Sequence, residues 1–133
     1  MAVGSAATRR DRPTPYKGES GNFMWVLHRV TGILVLFFLF LHVVDTATIL
    51  WGPEIYNEVV EIYKNFFFRV FMEVPLVGAV LFHSFNGLRV LAIDLTNWGA
   101  RRQKELSVAV LVVTLLFFVP SAYIMLRPVL FSG

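Results

Sequence analysis

Residues 33–41 read Ile33-Leu34-Val35-Leu36-Phe37-Phe38-Leu39-Phe40-Leu41, nine consecutive apolar side chains. Working outward, the apolar character runs from about Trp25 to about Leu50, and the ionisable interruptions are His28, Arg29, His42 and Asp45. A bilayer hydrocarbon core about 30 Å thick needs about 20 apolar residues in a helix, so this stretch predicts a membrane span. Two more follow, at about 66–95 and about 106–126, the last carrying Pro120 as an expected kink. Proline is tolerated in a membrane helix where neighbours satisfy the freed carbonyl.

Composition agrees with the spans. The 133 residues are 56% hydrophobic and 16% charged, with mean hydropathy +0.65. Soluble domains run about 45–50% apolar and about 25% charged, so the excess must face lipid or partner chains. The fold class is therefore all-α, an integral membrane anchor of three helices. A pI of about 9.6 would hint at nucleic acid in a soluble protein. Here the basic residues flank the spans instead, and no nucleic-acid partner is expected. There is no cysteine, which excludes thiolate catalysis, cysteine-ligated clusters and covalent haem. A redox cofactor would have to be held by histidine, and the three are His28, His42 and His83.

Counting Lys and Arg sets the orientation. Nine lie on the side of the N-terminus and the second connection, from Arg9 to Arg29 and from Arg89 to Lys104; three, Lys64, Arg69 and Arg127, lie on the other. The positive-inside rule then puts the N-terminus in the cytoplasm and the C-terminus outside. Arg9-Arg10 is followed by Pro13, Pro15, Gly18 and Gly21 rather than an apolar core. Residues 1–22 are thus expected to be a cytoplasmic tail, not a cleaved signal, with the three-span anchor at 23–133. Between spans one and two, Pro53–Phe66 places Ile55, Tyr56, Val59, Ile62, Tyr63 and Phe66 on one face and Glu54, Glu58, Glu61 and Lys64 on the other. That pattern predicts an amphipathic helix opened by Pro53, either lying on the outer membrane surface or capping the next span.

Ionisable groups at membrane depth are costly and usually face a bundle interior or a cavity. Arg69 and Glu73, four apart, are expected to pair. Arg89 and Asp94 lie near the inner boundary and read as interfacial anchors. His83 sits mid-span, with Gly87 four residues on and Arg89 six on, about 9 Å nearer the cytoplasm at 1.5 Å per residue. An axial ligand, a gap left by Gly87 and a cation for an anionic edge fit a haem with its propionates directed inward. His28-Arg29, at the cytoplasmic edge of span one, suits lipid headgroups, propionates or a quinone carbonyl.

The pair His28-Arg29-Val30-Thr31-Gly32 and His83-Ser84-Phe85-Asn86-Gly87-Leu88-Arg89, with Asp94 five residues further, resembles the cytochrome b membrane-anchor subunit of succinate dehydrogenase (respiratory complex II). The resemblance covers almost the whole chain. Phe40-Leu41-His42-Val43-Val44-Asp45 looks most like actinobacterial and thermophile versions. It implies an anchor in the cell's inner (plasma) membrane that docks a flavoprotein and an iron–sulfur subunit, with FAD and the clusters on those partners. Electrons would pass from succinate to a ubiquinone or menaquinone. His83 matches the axial ligand of haem b, His28 and Arg89 match positions near the propionates, Arg29 a position at the quinone site, and Asp94 a motif aspartate near the cytoplasmic surface. Trp25 stands where the family often has a quinone-bonding Ser, offering an indole N–H or a stacking ring in its place. Val90 stands where some members have His.

Three helices cannot enclose both faces of a haem, so a second anchor subunit is expected to complete the bundle and supply the other axial ligand. His42 lies about 22 Å from the inner boundary and His83 about 15 Å by helical rise, too far apart in depth to share one iron readily. His42 keeps two readings: a histidine bonded within the bundle and oriented by Asp45, three residues on, or the ligand of a second haem nearer the outer surface.

Overall fold

The computed structural model describes residues 19–131. Residues 1–18, most of the expected tail, lie outside the described residues. The chain folds as α1 (Glu19–Ala47), a 3-10 turn (Thr48–Trp51), α2 (Pro53–Tyr63), α3 (Phe66–Leu95), α4 (Asn97–Arg101) and α5 (Gln103–Phe131), with no strand among the described residues. The first helix starts four residues before the expected start of the anchor at residue 23. Three helices, Gly21–Trp51, Phe66–Leu95 and Gln103–Phe131, are long and apolar enough to cross a membrane. Each would run about 45 Å at 1.5 Å per residue, longer than the hydrocarbon core, and so tilts or protrudes.

The packing is that of a membrane bundle. α3 lies against both α1 and α5, which touch each other far less. The buried apolar side chains among the described residues are Met24, Ala79, Phe82 and Val110, and an equal number of buried residues are polar: Thr31, Asn86, Ser107 and Thr114. Lipid is as apolar as leucine, so nothing drives Leu and Phe inward, and small or polar residues fill helix seams. Gly78 fits this rule, since a Cβ there would stand 3.1 Å from Cε2 of Phe118 on α5. Phe37, Phe40, Leu116 and Ile124 instead point outward, toward lipid or a partner chain.

Local punctuation follows the sequence. Gly52, at φ +119°, turns the chain out of the 3-10 segment, a conformation that favours glycine. Pro53 then opens α2, with Glu54 in its first turn. Within α3, residues Arg69–Glu73 form a wide π turn immediately before Pro75. Pro75 has no N–H to bond the carbonyl one turn back, and a π turn absorbs the break. Arg69 and Glu73 pair across it at 3.8 Å. α5 runs as one helix through Pro120 and Pro128. At the end of the bundle nearer the start of α1, inner in the orientation expected from the Lys and Arg count, Thr96 caps α4 by accepting from the Gly99 N–H at 2.9 Å.

Candidate functional site

The inner half of the α1–α3 seam brings both motifs together. On α1, residues 28–32 present a carbonyl, a hydroxyl and a bare Cα to α3; on α3, His83 meets all three. Nδ1 of His83 lies 3.2 Å from the His28 backbone carbonyl and 3.4 Å from Thr31 Oγ1. A carbonyl only accepts, so this contact places the proton on Nδ1. The lone pair is then on Nε2, which has no hydrogen-bond partner among the described residues. The imidazole fits because residue 32 is glycine, whose added Cβ would lie 2.9 Å from Cε1 of His83.

The His28 ring stacks on His83 with centroids 4.2 Å apart and planes 5° from parallel. Here the structure revises one expectation. The space left by Gly87 receives the His28 ring, whose Cε1 would lie 3.9 Å from a Cβ at that position. Nδ1 of His28 is buried and lacks a partner among the described residues. Arg89 is half-buried; Nη1 donates to Asn86 Oδ1 at 3.4 Å, and its buried Nε has no partner. No carboxylate pairs with Arg89 among the described residues. Asn86 itself is 1% exposed. Asp94 is exposed and forms no ion pair with Arg89.

One turn nearer the N-terminus, the Arg29 guanidinium sits 4.0 Å over the centroid of the Trp25 ring. Both side chains are exposed, and their spacing of four puts them on one helix face. Arg29 therefore covers one face of the Trp25 ring. A cation over an indole face gains about 0.5–1 kcal/mol at exposed sites.

Residues 8–122 match the family described as succinate dehydrogenase/fumarate reductase transmembrane subunit. The chain belongs to that family. It is 41% identical over 116 residues to the succinate dehydrogenase 2 membrane subunit SdhC of Mycobacterium tuberculosis, covering 87% of this chain and 85% of the relative. It is 32% identical over 96 residues to a succinate dehydrogenase hydrophobic membrane anchor subunit of Halobacterium salinarum, covering 72% and 73%. A protein of the same description from Archaeoglobus fulgidus is 32% identical over 101 residues, covering 76% and 85%.

For this family member the donor set of the inner seam fits a haem. It combines an imidazole with a free Nε2, a cation with an orphaned buried N–H, and a second imidazole with an orphaned Nδ1. An anionic edge would satisfy the Arg89 Nε that nothing else among the described residues does, and buried polar atoms without partners are costly.

The other histidine belongs elsewhere. His42 is exposed, stacks against Phe38 at 5.4 Å and lines a cavity of about 480 Å³ in the outer half. Asp45 does not orient His42; its carboxylate accepts the Tyr63 hydroxyl, which ties α2 to α1. Tyr56, Val59 and Tyr63 of α2 cover that cavity and Met72 and Glu73 of the π turn edge it. α2 thus covers the cavity on one side, while Ile55 and Ile62 face outward. The π turn and the Asp45–Tyr63 tie were not anticipated. Pro75 was the signal for the first; the second joins residues 18 apart in sequence and leaves no periodic trace.

Proposed function

We propose that this chain is the haem b-binding anchor of a succinate:quinone oxidoreductase. In this reading it docks a flavoprotein and an iron–sulfur subunit on its cytoplasmic face, and a second anchor subunit completes the haem pocket. The observation that carries the haem is the orientation of His83: Nδ1 is held by the His28 carbonyl at 3.2 Å, and Nε2 is left to face a ligand. Metal-ligating histidines almost always give their other ring N–H to a carbonyl or carboxylate in this way.

The residues then take distinct roles. His83 would hold a haem iron through Nε2, and Arg89, with a buried Nε lacking a partner among the described residues, would hold a propionate. His28 packs beside His83. A haem held there would supply one-electron chemistry. Arg29, held on Trp25 at the inner end of α1, faces the quinone and stabilises negative charge developing on its oxygen, as a fixed cation in a low-dielectric site does. Protons for the reduced quinone come from cytoplasmic water at the same end. The orientation of His83 supports one haem on this chain, and His42, at the outer cavity, keeps the alternative of a second, which a count of two haems per protomer would favour.

The test is purification of the complex through a tag on this chain, with co-purifying subunits identified, haem counted per protomer and spectra recorded before and after succinate. The expected result is a flavoprotein, an iron–sulfur protein, and a succinate-reducible b-type band that His83→Ala abolishes. Partners without haem would leave a purely structural anchor. Two haems, one of them lost in His42→Ala, would restore the outer site.

A further inference from the structure

The turn Thr31-Gly32 has no assigned part in binding haem or quinone, yet it is the surface on which the His83 ring rests. Thr31 is 6% exposed. Its hydroxyl proton is directed at the carbonyls of Leu27, at 2.8 Å, and His28, at 3.0 Å. That leaves the oxygen's lone pairs turned toward Nδ1 of His83, 3.4 Å away. The hydroxyl therefore anchors the local backbone and adds a second acceptor beside the imidazole N–H. Gly32 supplies the room. A Cβ there would stand 2.9 Å from Cε1, 3.4 Å from Nδ1 and 3.9 Å from Nε2 of His83, so one methyl would meet the ring along its whole inner edge. Separations under 3 Å force a shift, and the nearest atom is the imidazole itself. With alanine at 32 the ring must shift, and the geometry of its 3.2 Å bond to the His28 carbonyl changes with it.

We infer that Thr31 and Gly32 form a positioning element for the His83 imidazole. Gly32 fixes where the ring lies. The Thr31 hydroxyl and the His28 carbonyl hold the proton on Nδ1, and so fix which nitrogen is offered outward. This rests on the reading of His83 as a haem ligand. It also explains chemically why a small hydroxyl residue and a glycine follow His28-Arg29: they serve the histidine of the neighbouring helix. Donation from Nδ1–H to an oxygen raises the basicity of Nε2. A more basic axial nitrogen favours the ferric state, so weakening that donation raises the haem potential.

The experiment uses the intact complex purified through this chain, carrying Gly32→Ala, Thr31→Val, Thr31→Ser or Gly78→Ala. Gly78→Ala is the control: its Cβ meets Phe118 at 3.1 Å, a close glycine contact that does not involve His83. Readouts are haem per protomer, the low-field electron paramagnetic resonance feature of the ferric haem, its midpoint potential, and the stoichiometry of partner subunits. With partners retained, Gly32→Ala is expected to lower haem affinity by roughly tenfold or more, or to shift the ferric signal of the haem that remains. Thr31→Val is expected to raise the potential, Thr31→Ser to restore it, and Gly78→Ala to leave the haem unchanged. Wild-type haem content, signal and potential in Gly32→Ala would overturn the inference while leaving the haem reading intact. If Gly32→Ala fails to assemble, the Thr31 pair decides: equal potentials in Thr31→Val and Thr31→Ser overturn the inference. Wild-type complex without haem, or haem undisturbed in His83→Ala, overturns the underlying reading instead.

Discussion

The imidazoles of His28 and His83, on different helices and 55 residues apart, stack face to face at 4.2 Å. The bond that orients His83 goes to the backbone carbonyl of residue 28, not to its ring. The two histidines therefore separate cleanly in a mutational test. His28→Ala keeps the carbonyl and should keep His83 ligated, with a loosened pocket and partial haem loss on detergent washing. His83→Ala should yield a complex without its b-type band. Pyridine haemochrome assay on the two purified variants checks this; equal, complete haem loss in both would show that the His28 ring itself is indispensable.

The two arginines should divide along similar lines. Arg89 is half-buried with an orphaned Nε, whereas Arg29 is exposed on the Trp25 ring. Arg89→Ala should lower haem per protomer more than Arg29→Ala does. Arg29→Ala should depress quinone reduction by roughly 10-fold or more, the loss of one charge-assisted hydrogen bond of about 1.5–3 kcal/mol. Succinate oxidation with a soluble acceptor should survive. Trp25→Leu removes only the shelf and should cost roughly 2- to 5-fold, as expected for about 0.5–1 kcal/mol of cation–π attraction. Equal loss of both activities in Arg29→Ala would point to failed assembly.

At the outer end, the Tyr63 hydroxyl donates to Asp45. Burial, then the hydrogen bond to Asp45 and its charge, push the Tyr63 phenol from 10.0 up to about 12. For a raised value the stabilisation is fully present below pH 10 and is lost as pH rises through about 12. The tie should therefore hold unchanged across neutral pH. Tyr63→Phe should loosen α2 by about 1 kcal/mol, seen as faster proteolysis of the connection between the first two spans. Cleavage of Tyr63→Phe at the wild-type rate would show that apolar packing of Tyr56 and Val59 holds α2 alone.

The run from Ile33 to Leu41 carried the three-span architecture because membrane length and hydropathy are local properties. Pro53 likewise announced the start of α2. The inner site was legible only in its residue types. Spacing put His83, Gly87 and Arg89 on one helix, but it says nothing about what α1 places opposite them. Hence Gly87 was read as space beside His83 for a planar group, whereas the antiparallel register brings the His28 ring there. The register also hid the use of Gly32. Trp25 was read as an indole N–H or a stacking ring for a quinone; that Arg29 covers one of its faces depends on rotamers. Asp45 was read with its helical neighbour His42, and a residue across the connection claimed it instead.

The inner connection offers the sharpest stability test. α3 ends at Leu95, α4 spans Asn97–Arg101, and α5 begins at Gln103, so the chain reverses within a few residues. It does so because Gly99 presses on α3: a Cβ there would stand 2.4 Å from the Ala92 carbonyl oxygen, 2.7 Å from its carbon and 3.0 Å from the Ile93 nitrogen. These are backbone atoms of a helix and cannot swing aside. Gly99→Ala must pry α4 off α3 and should cost about 1–3 kcal/mol or more. Thr96→Ala, which removes the cap on the Gly99 N–H and the hydroxyl's bond to the Ala92 carbonyl, should cost about 1 kcal/mol. The same turn carries Arg101 and Arg102 at the inner face, where the soluble subunits are proposed to dock. The purified Gly99→Ala complex should therefore melt below Thr96→Ala and shed its soluble subunits first. A Gly99→Ala complex as stable as wild type would mean that this connection opens in the assembled enzyme and that the close contact between α4 and α3 is not what sets the spacing of α3 and α5.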